Sequence, residues 1–326
     1  MILHVDYVTD PTASPSPIDF FVDALFRPET LALLLVAAVV TAGALVAWAG
    51  WRPLEDARLR FIERAGTYRE YLPWMVRLSV GLVLIGAGLS RSLFHPMIEA
   101  AVPIGFVLTA CGYLLLVGLA VRPAALVALA AYVISLVVHP ELVMMLDVAG
   151  GLAVAAIIGP GRPSLDDLLR AAFPRGPGAR AATRDLAAGR YDDIVPLLIR
   201  LGLGGAFLAS GVLDKIVIYD QALAAVEQYG LTSVVPVPAE TWVVGAAIVE
   251  SLLGLAILAG FMTRFSAIVA FAVLTLAMFA LPDDPVIAHV GLFGLSSVLV
   301  VLGAGRWSLD AVVLEPVARR SFTLSG

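Results

Sequence analysis

Glu250, His289 and Lys215 stand inside or at the ends of long apolar runs. An ionisable group in such a setting is expensive in a membrane and marks a functional site by default. Glu250 follows Thr241 by nine residues, about 14 Å along a helix that rises ~1.5 Å per residue, close to mid-membrane. His289 lies about one turn into its run, and Lys215 closes the run that contains Arg200. A carboxyl and an imidazole can exchange protons with a quinone-like or small polar ligand, since histidine titrates near neutrality. The same residues can instead form a Glu250–His289 or Glu250–Lys215 pair that only orients helices. Both readings stand at this stage. The four histidines, His4, His95, His139 and His289, match no metal-ligand spacing, so no metal site is expected. The single cysteine, Cys111, excludes an intrachain disulfide and a CxxC redox pair.

The elements that must carry these groups are membrane helices. Hydrophobic residues make up 60% of the 326, charged residues 14%, and mean hydropathy is +0.95, whereas soluble domains carry about 25% charged residues. The expected fold is an all-α, polytopic membrane protein. Nine apolar runs are long enough to be candidate spans: 30–50, 74–92, 102–121, 123–138, 142–158, 194–213, 241–261, 264–281 and 286–302. The first 29 residues hold five acids and no basic n-region, so a cleaved signal peptide is not expected. With nine spans, one side of the membrane carries 18 basic and 11 acidic residues. The other carries 3 and 14, with Glu250 inside a span. The basic side is expected to be cytoplasmic, which puts the N-terminus outside and the C-terminus inside the cell membrane. Acids outnumber bases by 26 to 21, and no nucleic-acid partner is expected.

Two octapeptides, "GPGRPSLD" at 159–166 and "GAGRWSLD" at 303–310, each follow the last apolar run of a block. Each block opens on an arginine, Arg77 in "RLSVGLVLIGAG" and Arg200 in "RLGLGGAFLASG", with Arg122 and Arg264 between the landmarks. The offsets are 123 residues at the start, 142 in the middle and 144 at the end. The 19 extra residues fall in the outer segment 214–239. There "YDQALAAVEQYGL" has Ala222, Val226 and Tyr229 on one helical face, as a helix lying over the bundle would. The expectation is one N-terminal span followed by two tandem four-helix transmembrane bundles. The boundaries read as 1–72, a first bundle at 73–168, a cytoplasmic linker at 169–193 and a second bundle at 194–326. In each octapeptide the glycines permit a tight turn, and Arg162 or Arg306 can meet lipid phosphate. Ser164 or Ser308 can cap a short helix, Ser164 with Asp167 at capping-box spacing, and Asp166 and Asp310 complete the turn. Structural roles are expected for these residues and for Arg77, Arg122, Arg200 and Arg264. Arg91 and Asp147 can pair in the first bundle.

The order "RLGLGGAFLASGVLDK", Glu250 in "VESLLGLAILAGFMTR", His289 in "AHVGLFG" and "GAGRWSLD" resembles the DoxX family of four-span membrane proteins, over about residues 196–312. The block at 73–168 looks like a degenerate copy, with Leu108 opposite Glu250 and Asp147 opposite His289. The resemblance implies membrane redox systems, including thiosulfate:quinone oxidoreductase, and hence a quinone and oxidoreductase subunits as partners. No covalently held cofactor is implied. Four-span quinone-reducing bundles that use CxxC cysteines are similar in fold, but their chemistry is closed to a chain with one cysteine. A membrane scaffold for partner proteins, or less readily a small-solute transporter, is the alternative function.

Overall fold

The computed structural model describes residues 15–51, 55–173, 193–281 and 286–314. Most of the linker at 169–193 and of the C-terminal tail lies outside the described residues. The chain is an all-α, multi-pass membrane protein. Among the described residues, six helices are long and apolar enough to cross a membrane, and a bent pair, Pro17–Leu25 with Pro28–Gly43 at 68°, makes a seventh if counted as one span. Two further apolar helices, Val102–Val117 and His289–Leu302, are shorter.

The chain divides into two compact units, residues 1–52 with 210–249, and residues 53–209 with 250–326. In the first, α1 (Pro17–Leu25) and α2 (Pro28–Trp51) accompany α10 (Tyr219–Gln228) and the start of α11 (Ala239–Ala259). Helix α1, which precedes the first expected span, begins at a Ser16 cap whose Oγ accepts from the Asp19 N–H at 3.2 Å, with Pro17 next. Proline suits this position because the N–H it lacks would have no partner in the helix. Phe20 stacks on Tyr219 with centroids 4.0 Å apart. Val226, Val243 and Val244 complete the core beneath them, with Ala222 packed alongside. The expected helix in the extra outer segment is therefore present, and its apolar face is turned to α1.

The second unit holds α3 (Glu55–Gly66), α4 (Leu72–Leu89), α5 (Val102–Val117), α6 (Val121–Val138), α7 (Leu146–Ile158) and α8 (Leu165–Ala172). It also holds most of α9 (Ile194–Val212), the end of α11, α12 (Thr263–Ala280) and α13 (Val286–Leu302). Helix α4 packs on α5 and α7, α5 on α6, and α6 on α7, while α12 packs on α13. Between α4 and α5 the chain forms a short antiparallel hairpin, β1 (Ser92–Leu93) and β2 (His95–Glu99). Phe94, at its corner, is buried edge-on against Tyr132 at 5.3 Å.

Helix pairs approach through glycines, as membrane helices do where small residues let backbones meet. A Cβ on Gly112 would lie 2.7 Å from the Gly81 carbonyl oxygen, joining α5 to α4. A Cβ on Gly254 would lie 2.7 Å from the Gly204 carbonyl oxygen, joining α11 to α9. Across the unit, α4 also packs on α13. Helix α7 meets α9, where a Cβ on Gly150 would lie 2.8 Å from the Leu198 carbonyl oxygen.

Candidate functional site

The arginines that open each block sit at the centre of two backbone clasps. Helix α5 ends at Gly118 (φ 74°) and α11 at Gly260 (φ 66°), both in the left-handed region where a side chain is strained. That conformation turns carbonyls inward, and a guanidinium collects them. Arg200 donates from Nε to the Ile257 carbonyl (3.0 Å) and from Nη2 to Leu258 (2.6 Å). Its Nη1 donates to Ala304 (2.9 Å) and Trp307 (2.8 Å), tying α9 and α11 to the second octapeptide. Arg77 makes the same kind of tie in the first block, donating to Pro73 (3.3 Å), Leu115 (3.5 Å) and Pro163. Arg264 donates to Val300 (3.0 Å), Val301 (3.1 Å) and Leu302 (3.2 Å) at the end of α13. Arg122 donates to Ile157 (3.4 Å) at the end of α7.

The aspartates of the octapeptides cap the helices next door. Asp310 accepts the Met262 N–H at 2.6 Å and the Thr263 N–H at 2.8 Å, the first free donors of α12. Asp166 accepts the Ala120 N–H at 3.1 and 3.3 Å, at the start of α6. Carboxylates are favourable there because helix N-termini present unpaired N–H groups and positive dipole ends. Ser164 Oγ accepts the Asp167 N–H and Ser308 Oγ the Ala311 N–H, each at 3.2 Å. The Asp167 carboxylate turns to Arg162 Nε at 3.0 Å. Arg306 meets Asp193 at 3.5 Å, with Trp307 beneath its guanidinium at 6.0 Å. Both Arg162 and Arg306 remain solvent-facing.

The three candidate chemical residues are distributed over both units. Lys215 lies in the first unit, on a π-turn (Leu213–Val217) that continues α9, where its Nζ donates to Ser210 Oγ at 3.0 Å. Ser210 Oγ donates in turn to Asp214 at 2.9 Å, and Asp214 stands 3.6 Å from Lys215. Lys215 is thus held by its own turn. Glu250 on α11 and His289 on α13 lie in the second unit, each half-buried. Among the described residues no group of three His, Cys, Asp or Glu side chains is arranged to hold a metal ion.

Asp147 behaves differently from the expectation. It opens α7 and is 1% exposed, and neither carboxylate oxygen finds a hydrogen-bond partner among the described residues. Arg91 is exposed at a left-handed corner of the hairpin, so the Arg91–Asp147 pair does not form. Counted back from the turn glycines Gly159 and Gly303, Asp147 is level with Gly291 rather than with His289. The two face each other, since a Cβ on Gly291 would lie 2.6 Å from Asp147 Oδ2. The sequence carries one signal for this: an acid beside "AGG" in an otherwise apolar run. Two cavities lie elsewhere. One of about 310 Å³ in the first unit is lined by Phe20, Asp23, Arg27, Tyr219, Asp220 and Glu240, with Arg27 and Glu240 paired at 2.9 Å. One of about 470 Å³ in the second unit is lined by Glu70, Tyr71, Arg162, Ser164 and Asp167.

The close approach of Gly204 to Gly254, the Arg200 clasp and the Asp310 cap all lie in or bind to one segment of the chain. Residues 195–283 of that segment match the DoxX family. The matched stretch begins at the start of α9 and ends just beyond α12, so it includes Lys215 and Glu250 but stops short of His289 and the second octapeptide. The first block lies outside the matched DoxX segment. No curated protein and no solved structure matches the chain.

Proposed function

We propose that this protein is the membrane-embedded subunit of a quinone-linked redox assembly. The observation that carries the reading is the DoxX segment itself, with half-buried Glu250 on its α11 and His289 on α13, just beyond the segment. The single cysteine, Cys111, is buried in α5, so dithiol chemistry has no second thiol and electrons must arrive from a partner. A bound quinone supplies an electron acceptor whose carbonyl oxygens require protons when it is reduced. An acid and an imidazole on apolar helices suit that ligand, Glu250 and His289 serving to hold and deliver its protons. The Phe271–Phe293 edge-to-face pair (4.9 Å) joins α12 to α13 one turn below His289, supplying a flat apolar wall.

The same reading includes nine spans with the N-terminus outside and the C-terminus cytoplasmic, the charge division and the two shorter apolar helices being its support. It also includes descent of residues 73–168 and 194–326 from one duplicated four-helix unit. Paired clasps, paired caps and paired glycine contacts at offsets of 123, 142 and 144 residues support that part. Single cysteines at Ala187 and Ala222 in a Cys111→Ala background should label from opposite faces of the membrane; labelling from one face would refute the nine-span arrangement.

The functional test is purification of the full chain in mild detergent, with quinone extraction and mass spectrometry of ligand and co-purifying subunits. Glu250→Gln and His289→Ala should each lower retained quinone about tenfold, equivalent to about 1.4 kcal/mol, with folded protein preserved. Retention of partner subunits and of their activity in both variants, with no quinone in the wild type, would favour the scaffold reading.

A further inference from the structure

We propose that Asp147 is a proton-binding site in the seam between the two helix groups of the second unit. The inference stands apart from the quinone reading and involves different residues. A carboxylate shut away from water needs a ligand, because an isolated buried charge is far too costly to persist. Candidate ligands are a basic side chain, hydrogen-bond donors, water, a metal ion or a proton. Among the described residues no side chain donates to either Asp147 oxygen, and the backbone N–H groups of Asp147 and Val148, which act on the carboxyl from the start of its own helix, fall outside hydrogen-bond geometry. No group of three ligating side chains is arranged for a metal ion.

Space removes the remaining alternatives. On α13, Gly291 comes so close that a single added carbon would stand 2.6 Å from Asp147 Oδ2. On α9, a carbon added to Gly202 would stand 3.3 Å from the Asp147 Cα. On α4, Val83 Cγ2 packs against the same Gly291 position. None of these three facing residues is charged. On α6 the titratable neighbour is Tyr132, fully buried and within electrostatic reach of Asp147. Its hydroxyl is already committed, donating to the Leu142 carbonyl at 2.7 Å. A water molecule needs two or more polar partners and room for itself, and Gly291 closes over the Oδ2 side of the carboxyl. A proton needs no room.

The consequence is a carboxyl that sits neutral while the seam is closed and can lose its proton only where water reaches it. Proton exchange at Asp147 is therefore tied to separation of α7 from α13 and α9. Nothing comparable faces this point from the other side, where the level residue is Gly291.

Infrared difference spectroscopy of the full chain in lipid nanodiscs tests this. At neutral pH the wild type should show a protonated-carboxyl C=O stretch that is lost in Asp147→Asn and that moves slowly after transfer to D₂O. Should Asp147→Asn fail to fold, wild type grown with carboxyl-¹³C aspartate gives the same answer, because Asp147 is the one buried aspartate among the described residues. The protonated band should then shift with the label. Absence of any label-sensitive protonated band, or loss of carboxylate bands instead in Asp147→Asn, would overturn the proposal. The outcome does not depend on whether quinone is bound.

Discussion

The two sequence blocks, 73–168 and 194–326, use the same devices with different strength. Arg200 reaches four carbonyls at 2.6–3.0 Å, all on other segments. Arg77 reaches three, one of them on its own helix and two at 3.3–3.5 Å. Arg264 binds three carbonyls, whereas Arg122 binds one at 3.4 Å and leaves its buried Nε without an acceptor among the described residues. Asp310 caps two N–H groups and Asp166 one. The tighter clasp belongs to the block that carries the DoxX match. Interior polar residues differ position by position: the one level with Glu250 is Leu108, fully buried, while the buried acid of the first block faces glycine. A clasp of this kind fixes where helices end without requiring any side chain in the membrane interior, so the interior residues of the two blocks can differ.

The comparison breaks most visibly at the arginines. Arg200→Ala would leave four carbonyls without their donor and should cost about 3 kcal/mol or more of stability. Arg77→Ala should cost about 2 kcal/mol. Unfolding in mixed detergent micelles reads both, and equal losses would mean that bond number and length do not set clasp strength. Lysine at position 200 should recover only part of the loss, because an ammonium lacks the planar fork.

Glycine replacements sharpen the contrast at the next level. In Gly150→Val the new carbon meets the Leu198 backbone oxygen, which cannot move aside, and α7 must part from α9. A loss of about 2–3 kcal/mol is expected from such overpacking. In Gly294→Val the new carbon meets the Ser79 hydroxyl of α4, which can rotate, and also the Ser79 Cβ at 2.6 Å, which cannot. A loss of about the same size should follow, and Ser79→Ala should relieve only the hydroxyl's part of it. The same unfolding assay decides, and no relief in the double variant would place the clash elsewhere.

The smallest difference should be at the caps. Asp310→Ala removes two short charge-assisted bonds and should cost about 1–2 kcal/mol, whereas Asp166→Ala should cost under about 1 kcal/mol. Hydrogen exchange of the first-turn amides of α12 and α6 checks this locally. Faster exchange at α6 in Asp166→Ala than at α12 in Asp310→Ala would reverse the ranking.

Much of this architecture is legible along the chain because it rests on local rules. Apolar runs, proline at helix starts, glycine at helix ends and a serine three residues before an acid all act within one or two turns. They place α4–α7, α9 and α11–α13 within a few residues of their observed limits, and they pick out Ser164 as a cap and Asp166 and Asp310 as turn residues. Two features near the surface escaped that reading: α1, whose apolar face is covered by a segment some two hundred residues later, and the hairpin at 92–99, which is too short for a periodic signal.

The interior was decided by tertiary structure. Which face of α7 looks at α13 depends on helix rotation and on the length of the connection before each helix. The connection ahead of α13 displaces the numbering by two residues, which is why Asp147 is level with Gly291 and not with His289. Sequence alone established that an acid sits in a membrane run and that arginines frame each block. Only packing determined that Arg91 turns away from Asp147, that backbone carbonyls and not carboxylates hold Arg77 and Arg200, and that glycine closes over the buried acid. The physical reason is that the cost of a buried polar group depends on what surrounds it in three dimensions, and those neighbours come from helices far apart in the chain.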